Sequence, residues 1–180
     1  DQIDVENGDR YGIEFVDENN EKKHPIILHN SPSGAIERII YALLEKAATD
    51  SHEGRKPQFP LWLSPTQVRI IPLKEEFNDF CEKLTDKISN NSVRVDIDDR
   101  NESIGKRIRE AEKEWIRYIL VIGDKEANSE NLSIRDRQTG AVRELSFDDF
   151  VNEIKEQTKE KPFTGLNFPK HISKRPNLMV

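Results

Sequence analysis

The chain has 180 residues, with hydrophobic and charged residues each at 34%, a formal net charge of −6 and a single cysteine, Cys81. That length allows one or two domains of the usual ~100–200 residues. No apolar run approaches the ~18 residues a membrane helix needs, nor does the chain open on a signal-peptide pattern. One cysteine excludes an intramolecular disulfide and suits a reducing compartment such as the cytoplasm. The acidic balance argues against general adhesion to nucleic acid, although a local basic face remains compatible with it.

Taken in order, residues 11–17 predict a strand carrying Ile13, Phe15 and Val16; Asn19-Asn20 is a turn signal, and residues 24–29 are expected to return as its antiparallel partner, with a short buried run at 25–28. Ser31, Pro32, Ser33 and Gly34 supply a tight turn. Beyond it, Ile36, Ile39, Ile40, Leu43, Leu44 and Ala47 recur at helical spacing, predicting a buried helix with Glu37 and Arg38 in its first turns. Residues 50–66 are polar and breaker-rich, then end in Phe-Pro-Leu-Trp-Leu-Ser-Pro, whose prolines exclude continuous helix. They are expected to form a linker and a crossover packed against both halves.

From residue 67 strand and helix alternate. Residues 68–73 predict a buried strand. Phe77, Phe80, Cys81, Leu84 and Ile88 mark an amphipathic helix, and residues 93–97 a second strand. Ile104, Ile108, Ala111 and Trp115 form the stripe of the next helix, followed by a strand at 118–122. Residues 132–137 and 141–145 flank Gln138-Thr139-Gly140 as a hairpin. Ser146 with Asp149 makes a capping box, and Leu145 on Phe150 a hydrophobic staple, for a last helix that continues through Val151 and Ile154. A tail from Pro162, with Phe163, Leu166, Phe168 and Pro169, is expected to dock on the domain and fray at its end. The order βαβαβ then ββα predicts an α/β fold: a mixed sheet with helices, its first three strands parallel.

Charges that could carry chemistry fall in three places. His29 ends the strand before the turn, and spacing alone offers it no zinc-like partner. Lys106, Arg109 and Lys113 share one outward helix face, which by spacing alone reads as a solvated face with a Glu102–Lys106 pair. Gly123-Asp124-Lys125-Glu126 follows a strand and by composition is an ordinary turn.

Three stretches together carry a resemblance. The run Leu-His-Asn-Ser-Pro-Ser-Gly-Ala-Ile-Glu-Arg at 28–38 resembles motif 3 of the class II aminoacyl-tRNA synthetases, and in wording the archaeal-type threonyl-tRNA synthetases. Phe-Pro-Leu-Trp-Leu-Ser-Pro-Thr-Gln-Val at 59–68 is similar to the junction leading into the class IIa anticodon-binding domain. Arg-Asn-Glu-Ser-Ile-Gly at 100–105, with Val-Ile-Gly-Asp-Lys-Glu at 121–126, resembles that domain's reading edge. The resemblance implies that residues 1–49 end an antiparallel α+β class II catalytic core, 50–66 link, 67–162 form the anticodon-binding domain and 163–180 a tail. With a start at Asp1, it also implies the C-terminal part of a longer enzyme.

It further implies that Arg38 is a catalytic residue binding ATP phosphate and that His29 is one of three ligands of a catalytic zinc. A metal could separate threonine from isosteric valine where an apolar pocket could not. Asn101, Glu126 and Arg135 match residues that contact anticodon bases, with Lys106 and Arg109 on the tRNA backbone. ATP with Mg, threonine, tRNA(Thr), a homodimeric catalytic core and a cytoplasmic location complete the expectation; the fragment alone should be inactive and hold zinc poorly. A prolyl or glycyl synthetase of the same subclass, or a non-catalytic RNA-binding or trans-editing paralogue, would share the second half.

Overall fold

A computed structural model describes residues 1–32 and 34–176; Ser33 of the expected turn and the expected fraying at 177–180 lie outside the described residues. The chain divides into two compact units, residues 1–46 and 47–180.

In the first unit two short antiparallel pairs occur. The strand β1 (Gln2–Asp4) is followed by a one-turn helix α1 (Asn7–Arg10), then β2 (Phe15–Val16), β3 (Lys22–Lys23) and β4 (Ile27–His29). The expected hairpin is corrected here: β2 pairs with β3, whereas β4 pairs with β1, Ile3 opposite Leu28. The physical reason is local. Asp17 accepts from the backbone N–H groups of Asn19 and Glu21, which closes the turn early and leaves Lys22, not the 24–29 run, opposite Val16. Asp4 likewise accepts from the N–H groups of Glu6 and Asn7 and starts α1.

The expectation of burial is also corrected. Ile26 and Leu28 are 65% and 75% exposed, and Ile36, Ile39, Ile40 and Leu44 of helix α2 (Ile36–His52) are exposed as well. The apolar stripe is therefore real, but two ribbons of two strands cannot form a layer that covers it. Gly34 precedes the helix at φ +69, where a side chain would be strained, and a Cβ there would meet the Arg38 guanidinium.

The second unit carries a five-stranded sheet in the order β6-β5-β7-β8-β9. Its strands are β5 (Val68–Pro72), β6 (Val95–Ile97), β7 (Tyr118–Ile122), β8 (Asn131–Asp136) and β9 (Val142–Ser146). β5 runs parallel to β6 and β7, and β8 and β9 follow antiparallel, so the three parallel strands stand where the βαβαβ pattern puts them. Side chains alternate between the two faces. One face buries Val68, Ile70, Tyr118, Leu120 and Ile134 against α3 (Asn78–Ser89) and α6 (Phe147–Gln157), which contribute Cys81, Leu84, Ile88, Phe150 and Ile154. At the start of α6, Ser146 Oγ accepts from the Asp149 N–H at 3.1 Å, an N-cap worth about 1 kcal/mol. The segment expected to cross over contributes a 3-10 turn at Leu61–Leu63, with Leu61 in this core.

The opposite face is covered only in part. Helix α4 (Ile104–Lys113) lays Ile104, Ile108 and Ala111 over Ile71 and Ile119. It ends in a double closure, Ile116 N–H to Ala111 O and Trp115 N–H to Glu112 O, with Trp115 itself at φ +60. Beyond α4, no helix among the described residues covers the side chains of β8 and β9 on this face: Arg135 and Ser133 are half-buried, Val142 and Glu144 exposed.

The tail docks along β6, the sheet edge opposite β9. Ile97 N–H donates to Lys170 O at 2.9 Å, and a parallel bridge forms between Ile97 and His171.

Candidate nucleic-acid interface

The carboxyl ends of the parallel strands carry two of the residues singled out from sequence. Asn101 lies in the loop after β6, and Glu126 lies in α5 (Asp124–Ala127), the single helical turn after β7. With β5 between them, the two strands are about 10 Å apart. The loop holding Asn101 is fixed from several directions. Asp98 is wholly buried and takes the Arg100 guanidinium at 2.8 and 2.6 Å. Its carbonyl accepts from Arg107 at 2.8 Å, and Ser103 caps α4. Asn101 itself is exposed, and its side-chain amide makes no hydrogen bond among the described residues. A rigid loop with a free amide at its tip suits base reading, because an amide both donates and accepts.

Glu126 is anchored by one oxygen. Its Oε2 accepts from the Gly123 N–H at 3.2 Å, across the first turn of α5, and the side chain remains half-exposed. A carboxylate held this way has its second oxygen left for N–H donors such as those on the Watson–Crick edge of guanine. The neighbouring Lys125 reaches across to Glu144 at 2.7 Å, which ties α5 to β9 over the uncovered face.

Arg135 is set back from this rim. It pairs in register with Ile119 on one side and Val142 on the other, three residues before the end of β7 and so about 10 Å along the strand. Its side chain shares the uncovered face, with Glu112 of α4 at 3.8 Å. The structure thus puts Asn101 and Glu126 on one rim and Arg135 on the open shelf behind it. Lys106 bonds Glu102 at 2.6 Å, the pairing the solvated-face reading expects, while Arg109 and Lys113 of the same helix are exposed. Arg100, between Asp98 and Glu110, is held too firmly to serve as a free cation; the Asp98 carboxylate in particular raises its pKa.

Sequence reasoning missed the buried charges beneath the rim. Arg69 and Asp96 are wholly buried and bonded at 2.9 and 3.0 Å, with Glu114 and Arg175 joining at 2.7 and 2.8 Å. It also missed the reach of the tail. Asp99 accepts from Ser173 N–H at 3.0 Å and from its hydroxyl at 2.6 Å, and His171 lies between Asp99 and Glu82. The adjacent pair Asp98-Asp99, placed directly after a strand, was the available signal.

The first unit offers less. Arg38 is exposed beside Gly34 on the first turn of α2. His29 is exposed at the end of β4. Among the described residues no group of three His, Cys, Asp or Glu side chains is placed to hold a metal. One histidine does not make a zinc site.

Residues 67–157, about half the chain and all of the mixed sheet, match the family model of the anticodon binding domain. The chain belongs to that family. It is 82% identical over all 180 residues to a threonine--tRNA ligase of Nitrosopumilus maritimus, covering 29% of that protein. It is 50% identical over 97% of its length to a threonine--tRNA ligase of Pyrococcus horikoshii, covering 28%. The chain therefore spans under a third of the curated relatives it matches. Among solved structures, the RNA binding domain of threonyl-tRNA synthetase from Cryptosporidium parvum superposes with a TM-score of 0.62 at 24% identity, over 91% of this chain and 38% of that one; this supports the shared fold. No described helix is long and apolar enough to cross a membrane.

Proposed function

We propose that this anticodon-binding chain is the tRNA-reading portion of a threonine–tRNA ligase, which joins threonine to tRNA(Thr) in an ATP- and Mg-dependent reaction. Base reading rests on one observation, the rim at the carboxyl ends of the parallel strands that carries both the free amide of Asn101 and the singly anchored carboxylate of Glu126. The high identity to threonine ligases supports the choice of amino acid. Negative charge next to RNA is costly unless it meets N–H donors, so Glu126 here serves selectivity rather than adhesion. Arg135 supplies a guanidinium on the open shelf, and Lys106 with Arg109 contact phosphates.

In the same reading Arg38 binds ATP phosphate, for which a planar, always charged guanidinium is suited. His29 would contribute one zinc ligand, the other donors coming from the rest of a longer protein. A cytoplasmic enzyme that dimerises through its catalytic core completes the proposal.

Equilibrium binding of threonine tRNA tests the base reader. Glu126→Gln should weaken it by about 1–3 kcal/mol, as for bidentate base contacts. The loss should shrink when the matching anticodon base is replaced, because both changes remove one interaction. Equal losses on cognate and anticodon-swapped tRNA would reject Glu126 as a reader. Lys106→Ala and Arg109→Ala should instead weaken all tRNAs alike and lower the salt slope by about one each.

A further inference from the structure

Between the Asn101 loop and the C-terminal tail lies an open groove of about 1000 Å³. One wall is the loop with Asn101 and Lys106; the other is the tail with Phe168, Ile172 and Arg175. We propose that this groove is a second nucleotide subsite, in which the ring of Phe168 stacks on an unpaired RNA base neighbouring the one that Asn101 faces. The proposal rests on the reading of the rim as an RNA-binding edge and adds a residue outside the matched domain.

Three observations carry it. First, Phe168 is 54% exposed at the groove although the tail around it is firmly bound. An exposed ring on a fixed backbone is the arrangement that single-stranded RNA uses as a stacking platform. Second, the ring is already oriented by a cation: the Arg175 guanidinium stands 5.6 Å from its centroid. Arg175 is in turn held by Asp96 at 2.8 Å and by the Pro169 carbonyl at 3.0 Å. Ser173, bonded twice to Asp99, fixes the tail to the very loop that carries Asn101. Both walls are thus preorganised relative to each other, which lowers the ordering cost of binding.

Third, the charges lining the groove are matched internally. Arg175 is paired with Asp96, Lys106 with Glu102, and Glu114 with Arg69. Beside the Phe168 ring the Arg175 guanidinium is taken up by Asp96, so the occupant there is a neutral flat ring with polar edges, whose backbone phosphate lies toward Lys106 on the opposite wall. A nucleobase has that chemistry, and the volume is at the upper end of the ~300–1,000 Å³ of small-molecule sites.

Phe168→Ala and Phe168→Trp in the full chain test this, with threonine tRNA and an anticodon-swapped tRNA as probes. Phe168→Ala should weaken both by a similar factor, about 5- to 150-fold, since stacking tolerates any base. Thermal unfolding should be unchanged, as the ring is half in solvent. Phe168→Trp should retain affinity, and its emission, taken as the difference from the parent with Trp62 and Trp115, should be quenched by saturating RNA. A Phe168→Ala affinity within twofold of the parent, or a difference emission of Phe168→Trp that RNA leaves unquenched, would overturn the subsite. If Glu126→Gln discriminates between the tRNAs while Phe168→Ala is silent, the subsite alone falls. If the parent does not bind tRNA, the rim reading falls and takes the subsite with it.

Discussion

Arg69 and Asp96 are register partners across the β5–β6 ladder and are joined by two hydrogen bonds in a wholly buried position. The pair lies on the sheet face under α4, where Glu114 and Arg175 extend it to the helix end and the tail. Burial works against the charge of Arg69, yet the carboxylates around it outweigh that effect and hold its pKa above the ordinary value.

Removing one member should therefore be costly. Asp96→Ala leaves Arg69 buried without its main partner and deprives Arg175 of its anchor, so a loss of about 3–5 kcal/mol is expected in urea unfolding. Replacing both partners together, as Arg69→Met with Asp96→Leu, should recover most of it. A single variant within 1 kcal/mol of the parent would show that water reaches the site.

The α/β unit should fold by itself. Its core from Val68 to Ile154 is closed by its own helices and contains Leu61 at its margin. Residues 60–180 expressed alone should give one cooperative thermal transition. A broad, featureless melt would show that the first unit is required.

The docked tail should be acid-sensitive. Burial pushes the Glu82 carboxyl up, but hydrogen bonds from Lys170 and His171 prevail and hold it below its ordinary 4.5. At Asp99 burial is likewise outweighed, by Ser173 and His171, and its pKa lies below 3.8. Groups depressed in the folded state stabilise fully above their unfolded values, and that contribution disappears as pH falls through the folded ones. The methyl signal of Ile172 should thus stay at its docked position from pH 7 to about 5 and move only in more acidic solution, below the ordinary carboxylate range. A shift already complete above the ordinary carboxylate range would show that Glu82 and Asp99 do not set the tail's hold.

Cys81 should be a silent thiol. It is wholly buried, and burial, with Glu82 nearby, pushes its pKa up to about 12. The thiolate is the reactive form, so a thiol reagent at pH 8 should label it only at the rate of unfolding. Rapid labelling of the native chain would contradict this core packing.

The second unit was legible because its signals are long and periodic. Five residues from Tyr118 to Ile122 allow one reading, and Ser146 announces α6 by its own hydrogen-bonding chemistry. The first unit was not, since strands of two or three residues have too few side chains to set a register, and Asp17 decided the pairing instead. Arg69 was absorbed into an apolar run because its partner is 27 residues away, a separation no local pattern reports. Asn101, Glu126 and Arg135 were found by resemblance to a family; spacing alone did not distinguish them from loop, turn and strand residues. Phe168 belongs by sequence to the apolar set of a docking tail, yet its ring is half in solvent.

The seam between Ile97 and the tail has a consequence for self-association. A sheet offers unsatisfied N–H and C=O groups at each free edge, and any extended chain can add there. On β9 the edge is guarded by the charges of Arg143 and Glu144. On β6 it reads Val-Asp-Ile, with the one charge turned inward to Arg69, and the bond from Ile97 to Lys170 is what occupies it. A nick in the tail by a protease would leave the chain folded but with a bare apolar strand edge, and so turn a closed surface into a seed for strand exchange between molecules.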